Sequence, residues 1–292
     1  MDKFQLLNKY WGYSQFRPFQ EQIINDVLEG KDVIAILPTG GGKSLCYQLP
    51  SLLLEGTVFV ISPLIALMED QVKQLEKRGI KAMYFQSDPK SVSLQQQIDN
   101  CLHGNYKLVF SAPERFLNSS FVEQLTKVKV ALIAVDEAHC ISEWGHDFRP
   151  SYRKLDELRK RFPKVPLMAL TASATPAVIK DMRSLLNLNQ AKNYVHSFER
   201  PNIAYKIWNT EDKFNTVVQL LKYHRGSSIV YCNTRKQTEH LAQYINQNGY
   251  KADFFHGGLL AEKKKEKLAT WQEGGIPHII ATTAFGMGID KA

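Results

Sequence analysis

Two short stretches of the sequence carry residue types whose spacing could do chemistry. The first is Pro38-Thr39-Gly40-Gly41-Gly42-Lys43-Ser44, three consecutive glycines running into a lysine and a serine directly after an apolar run that ends at Leu37. A glycine-rich turn between a strand and a helix can aim successive backbone N–H groups at phosphate oxygens, and the helix N-terminus adds a favourable dipole. In that arrangement Thr39, Gly40, Gly41 and Gly42 form the cradle, Lys43 reaches the β and γ phosphates, and Ser44 ligates Mg²⁺. The usual pattern asks for Gly at position 37, where this chain has Leu. A glycine turn with a purely structural purpose is therefore the alternative.

The second stretch is Asp136-Glu137-Ala138-His139, at the end of the apolar run Ala131 to Val135. In open α/β sheets, ligands bind at the carboxyl ends of strands. Asp136 can hold Mg²⁺ there, directly or through water, and Glu137 can polarise an attacking water. Two adjacent acids after a strand could instead merely cap the next helix. Taken together, cradle and acids read as an ATP·Mg²⁺ site for phosphoryl transfer, with Lys43, Asp136 and Glu137 as the catalytic groups and Ser44 and Asp136 on the metal.

Positioning these groups requires strands that end on one edge. Apolar, β-branched runs predict strands at Val33 to Leu37, Val58 to Ser62, Leu108 to Ser111, Ala131 to Val135 and Leu167 to Leu170. Helices are predicted at Lys43 to Leu53, Leu64 to Arg78, Tyr152 to Phe162 and Pro176 to Leu186. Near-continuous apolar strands alternating with helices imply an α/β fold with a parallel sheet covered on both faces. The pattern pauses around residues 197 to 202 and restarts with strands at Ser228 to Cys232, Lys251 to Phe255 and His278 to Thr282. Helices at Lys236 to Asn248 and Glu262 to Glu273 separate them, so two domains are expected, 1–206 and 207–292.

Bulk properties narrow the class. The 292 residues, 44% of them hydrophobic, suit a globular protein and exclude disorder. No apolar run approaches the roughly 18–20 residues of a membrane span, and the N-terminus lacks the apolar core of a signal peptide. An intracellular protein is expected. Cys46, Cys101, Cys140 and Cys232 are far apart and read as buried or half-buried thiols rather than a disulfide framework or zinc cluster. A net charge of +8 favours a polyanionic partner through counterion release. Lys263-Lys264-Lys265 reads as a solvated helix face, with contact to a nucleic-acid backbone as the alternative.

The order of further motifs carries a family resemblance. Thr39 to Ser44, Ser62-Pro63-Leu64, Ala112-Pro113-Glu114-Arg115, Asp136 to His139 and Thr171-Ala172-Ser173 together resemble the first motor lobe of a superfamily 2 helicase. Gly12-Tyr13-Ser14-Gln15-Phe16-Arg17-Pro18-Phe19-Gln20 and Ile141-Ser142-Glu143-Trp144-Gly145-His146-Asp147-Phe148-Arg149-Pro150 are similar to segments of the RecQ family of DNA helicases. The resemblance implies two RecA-like parallel-sheet lobes, the second incomplete. It also implies that Tyr13, Arg17 and Gln20 recognise adenine, a role for which Gln20 has one acceptor and two donors. The alternative for that segment is the start of an amphipathic helix with Phe16 and Phe19 in the core.

Aromatic rings interleaved with His and Arg immediately after the acids have the composition of a platform for unpaired bases. By resemblance, Trp144, His146, Phe148 and Arg149 couple single-stranded DNA to ATP turnover; aromatic packing under a loop is the alternative. Ser62, the Ala112 to Arg115 segment, Thr234 and Arg235 take backbone-binding roles from the same resemblance, while Thr171 to Ser173 would link the ATP site to the second lobe. His256 is as readily structural as functional.

The implied activity is ATP-driven translocation on one DNA strand, 3′ to 5′, with unwinding of partially duplex DNA in repair and recombination. ATP and Mg²⁺ are the cofactors and the protein acts as a monomer. An RNA helicase and a non-catalytic, ATP-gated nucleic-acid-binding module are the rival readings. The last motif is Ala284-Phe285-Gly286-Met287-Gly288-Ile289-Asp290. RecQ helicases continue with an arginine-bearing segment that reaches the γ phosphate, then a zinc-binding domain and a winged helix. Their absence before Ala292 predicts slow hydrolysis, an exposed sheet edge and no zinc, since an arginine finger can be worth roughly 10³–10⁵ in turnover. The compact N-terminus suggests a bacterial, cytoplasmic protein.

Overall fold

The computed structural model describes residues 1–86, 92–145, 147–197, 199, 202–224 and 226–285. Two compact units, Met1–Arg200 and Pro201–Ala292, make up the chain. The division falls six residues before the expected boundary at 206, and residues 203–210 carry no regular element.

Among the described residues the first unit is built on seven parallel strands: β1 (Val33–Ile36), β2 (Thr57–Ile61), β3 (Ala82–Tyr84), β4 (Leu108–Ser111), β5 (Val130–Val135), β6 (Leu167–Thr171) and β7 (Lys192–Val195). Their order is β3-β4-β2-β5-β6-β1-β7, and every pair is parallel. Alternate side chains enter opposite faces. Ile34, Ile36, Phe59, Ile61, Ile133 and Val135 join one core cluster. Val33, Ala35, Val58, Val60, Leu132 and Ala134 join the other. Both faces are covered by helices, which explains why β1, β2, β4, β5 and β6 read as largely apolar runs. Fully burying one such Val or Ile contributes roughly 1.5–3 kcal/mol, so Ile34→Ala in β1 would cost about 2–5 kcal/mol.

Because the strands are parallel, every loop of interest leaves the same edge of the sheet. The order β5-β6-β1-β7 sets the acids after β5, Thr171 at the end of β6, the glycine loop after β1, and His196 after β7 side by side. The predicted helix at Tyr152 to Phe162 is a correction: a 3₁₀ turn spans Pro150–Leu155 and an α-helix follows at Asp156–Arg161. Pro150, which has no N–H to donate, starts that turn. The Tyr152 hydroxyl donates to the Asp136 carbonyl at 2.9 Å and pins it in the core.

Among the described residues the second unit has three parallel strands, β8 (Ser228–Tyr231), β9 (Ala252–Phe255) and β10 (His278–Ala281), in the order β8-β10-β9. Leu221, Leu241, Ile245 and Ile280 pack on one face. Phe255, Trp271, Ile279 and Phe285 pack on the other. Helices Arg235–Gln247 and Ala261–Gln272 match their expected positions to within one residue at each end. Among the described residues β8 lies at a sheet edge, with Tyr231 exposed.

Candidate active site

The glycine loop turns where only glycine is comfortable. Gly40 and Gly42 have φ of 76° and 77°, in the left-handed region that costs other residues roughly 1–2 kcal/mol. A Cβ on Gly42 would also stand 2.3 Å from Gln20 Nε2, and one on Gly41 would stand 2.8 Å from the Pro38 carbonyl oxygen. The Leu37 N–H donates to the Thr171 carbonyl at 3.1 Å, so the loop starts as an extension of the β1–β6 ladder. Leu37 is itself buried at 1% exposure. The departure from the usual glycine at position 37 is thus a core residue ahead of the turn.

Gln20 and Arg17 clasp this loop. Gln20 opens the helix Gln20–Leu28 and is 2% exposed. Its Nε2 donates to the Gly41 and Gly42 carbonyls at 3.3 and 3.1 Å, and its Oε1 accepts from the Arg17 N–H at 2.9 Å. The Arg17 guanidinium donates to the Gly40 carbonyl. The pair expected to read a base therefore holds the backbone of the phosphate loop in this conformation. Tyr13 is exposed and stands free of that clasp. The helix Gln20–Leu28 is fixed to the sheet through Asp26, which accepts from Lys192 at 2.8 Å and from the Tyr194 hydroxyl at 2.5 Å. Burial pushes the Asp26 carboxyl up, but hydrogen bonds from Lys192, Tyr194 and Lys31 outweigh it and leave the group below the usual range.

The acids sit one strand beyond β6. Asp136 is buried, and desolvation, reinforced by the neighbouring Glu137 charge, pushes its carboxyl up to about 6 against the pull of Lys43. Such a carboxylate lacks a full counter-charge, and a divalent cation supplies one. The residues present therefore fit Mg²⁺: Asp136 and Ser44 would hold it. Glu137 takes a left-handed backbone, φ 48°, and its Oε2 lies 3.3 Å from His139 Nδ1. That ring nitrogen is also 2.7 Å from the Thr171 hydroxyl, which donates to the Ser173 carbonyl at 3.2 Å and accepts from the Ser173 N–H at 3.1 Å. Lys43 Nζ donates to the Leu37 carbonyl at 3.4 Å.

Immediately beyond the acids the aromatic loop folds back on the same helix that follows Thr171-Ala172-Ser173. The Ser142 hydroxyl donates to Asp181 at 2.6 Å and accepts from the Trp144 N–H at 3.2 Å. Trp144 is 78% exposed and shares a cavity of about 340 Å³ with Ala172, Ser173, Thr175 and Val178. Phe148 carries the Arg153 guanidinium over its ring at 5.0 Å. Arg149 is drawn inward, donating to the Pro63 carbonyl at 3.1 Å and to Asp147 at 3.2 Å. Of the four loop residues expected to meet DNA, Trp144 is the one presented openly, and His146 lies outside the described residues.

The remaining candidates divide. Ser62 is 3% exposed, with its hydroxyl buried and unpaired, rather than displayed on the surface. Arg115 stacks on the Phe85 ring at 5.7 Å. In the second unit Thr234 caps the helix Arg235–Gln247, accepting from the Gln237 N–H at 3.2 Å. Arg235 packs over Gly258, where a Cβ would stand 2.9 Å from its Nη1. His256 is buried, 3.0 Å from Glu239 and stacked on Phe254, a structural setting. Residues 286–290 of the last motif lie outside the described residues.

Sequence reasoning passed over His196, Ser142 and Asp181. His196 follows β7, whose exposed Lys-Asn-Tyr-Val has no apolar run to signal a strand. The Ser142–Asp181 contact joins residues 39 apart, and no local pattern announces it.

Fold and site define a P-loop nucleotide-binding protein with RecA-like parallel sheets. The DEAD/DEAH box helicase profile matches residues 17–182, and the helicase conserved C-terminal domain matches residues 212–292. The chain is 42% identical over 291 residues to the ATP-dependent DNA helicase RecQ of Pasteurella multocida, covering 98% of this chain and 46% of that protein. It is 43% identical to the probable ATP-dependent DNA helicase RecS of Bacillus subtilis, again over 98% of this chain and over 58% of the relative. The solved helicase Lhr of Mycobacterium smegmatis shares the fold, with a TM-score of 0.67 at 22% identity over 98% of this chain and 42% of Lhr. The chain belongs to the DEAD/DEAH box helicase family, in its RecQ branch. It spans about half the length of the curated relatives it matches. Among the described residues no helix is long and apolar enough to cross a membrane.

Proposed function

We propose that this chain is the motor portion of an ATP-dependent DNA helicase that couples ATP hydrolysis to movement along single-stranded DNA, 3′ to 5′. Partially duplex DNA is the structure it unwinds. One observation carries the coupling. Glu137, His139, Thr171 and Ser173 form a continuous polar path, and the cavity at Ser173 is shared with the exposed Trp144. A base stacking on Trp144 acts on the same loop that the path connects to the hydrolytic carboxylate.

In this reading Lys43 places its ammonium against the β and γ phosphates, and the backbone N–H groups of Thr39 to Gly42 orient them. Asp136 and Ser44 would hold Mg²⁺, which neutralises phosphate charge when bound. Glu137 accepts a hydrogen bond from the attacking water and aligns it, while His139 fixes the carboxylate. Arg17, Gln20 and Tyr13 meet the nucleoside. Phe148 and Arg149 support the DNA platform, with Thr234 and Arg235 at the backbone. The names of the RecQ and RecS relatives favour DNA over RNA.

The test compares steady-state ATP hydrolysis of the chain with no nucleic acid, with single-stranded DNA and with RNA of the same sequence. Stimulation by DNA above that by RNA is the expected result. Tight DNA binding with no stimulated turnover would replace this reading with that of an ATP-gated binding module.

A further inference from the structure

We propose that His196 contacts the nucleoside in the ATP cleft and accepts a hydrogen bond from it, either from an exocyclic amine or from a ribose hydroxyl. The inference rests on the reading of the glycine loop as an ATP site and adds a residue to it.

Three observations carry it. First, a cavity of about 240 Å³ is lined by Arg17, Pro18, the loop residues Leu37 to Gly41, and His196. His196 is thus a wall of the space that adjoins the phosphate cradle. The ladder explains its place: β7 pairs with β1 in parallel, and the His196 N–H continues the pairing onto the Ile36 carbonyl at 2.9 Å.

Second, the ring has a defined polarity. His196 Nδ1 lies 2.7 Å from the Ser197 carbonyl oxygen. A carbonyl can only accept, so Nδ1 carries the hydrogen, and in the neutral imidazole Nε2 is then a lone-pair acceptor. Among the described residues Nε2 has no hydrogen-bond partner. Beside it Arg17 offers a guanidinium donor, and the Gln20 Oε1 already accepts from the Arg17 N–H. His196 therefore adds an imidazole acceptor for an N–H or O–H of the ligand.

Third, the imidazole is held by a residue in an uncommon backbone state. Phe19 has φ 67°, in the left-handed region, although it is neither Gly nor Asn. That conformation sets its ring edge-on to His196, with centroids 5.8 Å apart at 88°, and beside Tyr194 at 5.9 Å. Backbone strain of this kind gathers where a site needs a fixed geometry. Phe19 also precedes Gln20, so the imidazole and the clasp on the loop are positioned by consecutive residues.

Equilibrium binding to the whole chain tests the proposal, using ATP, 2′-deoxy-ATP, 3′-deoxy-ATP, the 6-unsubstituted purine riboside triphosphate and inorganic tripolyphosphate. His196→Phe keeps a flat ring against Phe19 and removes the acceptor, while His196→Asn restores one. His196→Phe is expected to bind ATP roughly five- to tenfold more weakly, with tripolyphosphate unchanged and His196→Asn intermediate. One analogue lacking the relevant donor should bind wild type as weakly as ATP binds His196→Phe, and lose nothing further in that variant. That analogue identifies the amine or the hydroxyl. Unchanged ATP affinity in His196→Phe, or an equal loss for tripolyphosphate, overturns the proposal. Failure of the wild type itself to bind ATP would instead overturn the reading of the ATP site.

Discussion

His139 Nδ1 lies 2.7 Å from the Thr171 hydroxyl, joining the loop after β5 to the end of β6 inside the core. Thr171 is fully buried and its oxygen also serves Ser173 in both directions. Thr171→Val keeps the shape and deletes that junction, leaving the Ser173 N–H without its acceptor. The expected cost is about 1–3 kcal/mol of stability. DNA-stimulated turnover should fall by roughly tenfold or more, with ATP affinity nearly unchanged. Denaturant titration and steady-state kinetics on the same preparation check both halves; full stimulated turnover would sever the proposed path.

Lys43→Ala should reduce turnover by a factor on the order of 10²–10³ or more. The fold should survive, because Lys43 Nζ contributes one long contact, 3.4 Å to the Leu37 carbonyl. Phosphate release under saturating ATP, beside a thermal melt, is the measurement. A variant that hydrolyses normally would remove Lys43 from the site.

Asp136→Asn should stabilise the metal-free protein. The folded carboxyl titrates near 6, above its ordinary 3.8, so between those values the native state binds more protons than the unfolded one. Stability therefore falls as pH rises through this window, and above it the full penalty, on the order of 3 kcal/mol, is present. Asn carries no such penalty. Urea midpoints without metal should coincide below pH 4 and diverge above pH 6 in favour of the variant. Added Mg²⁺ and ATP should stabilise the wild type, and hydrolysis should be lost in the variant.

Trp144→Ala removes an indole that is 78% exposed, so stability should stay within about 0.5 kcal/mol. Affinity for single-stranded DNA should drop roughly tenfold, within the usual range for one stacked base. ATP binding should persist while most of the DNA stimulation disappears. Fluorescence anisotropy with labelled oligonucleotide, alongside hydrolysis rates, separates the two effects; undiminished stimulation would leave the loop with a packing role alone.

The parts of the molecule legible in the sequence are those where one physical demand dominates. Strands β1, β2, β4, β5 and β6 are buried on both faces, so their apolar runs announce them, and the glycine loop and paired acids follow from their ends. β3 and β7 are the sheet edges: the three residues of β3 are too few to read as a run, and the Lys-Asn-Tyr-Val of β7 has no apolar run. The reach of single side chains was also hidden. Arg149 was expected to face DNA from its place among aromatics, yet its guanidinium is satisfied by Pro63 and Asp147, contacts set by the packing of β2 beside β5. Ser62 follows a strand end at the functional edge, but the residues packed over that end bury its hydroxyl.

The two hydrogen bonds from the Gln20 amide to Gly41 and Gly42 bear on how a nucleotide would be judged. A base that recruits this amide must break bonds worth about 1 kcal/mol each, and in doing so it unties the turn that receives the phosphates. Conversely, a turn reshaped around phosphates surrenders the amide to the base. These are two ends of one equilibrium, and linkage requires that whatever affinity the base lends the phosphates, the phosphates lend equally to the base. A ligand offering only one of the two parts must oppose the clasp alone, whereas an intact nucleotide opposes it from both sides at once.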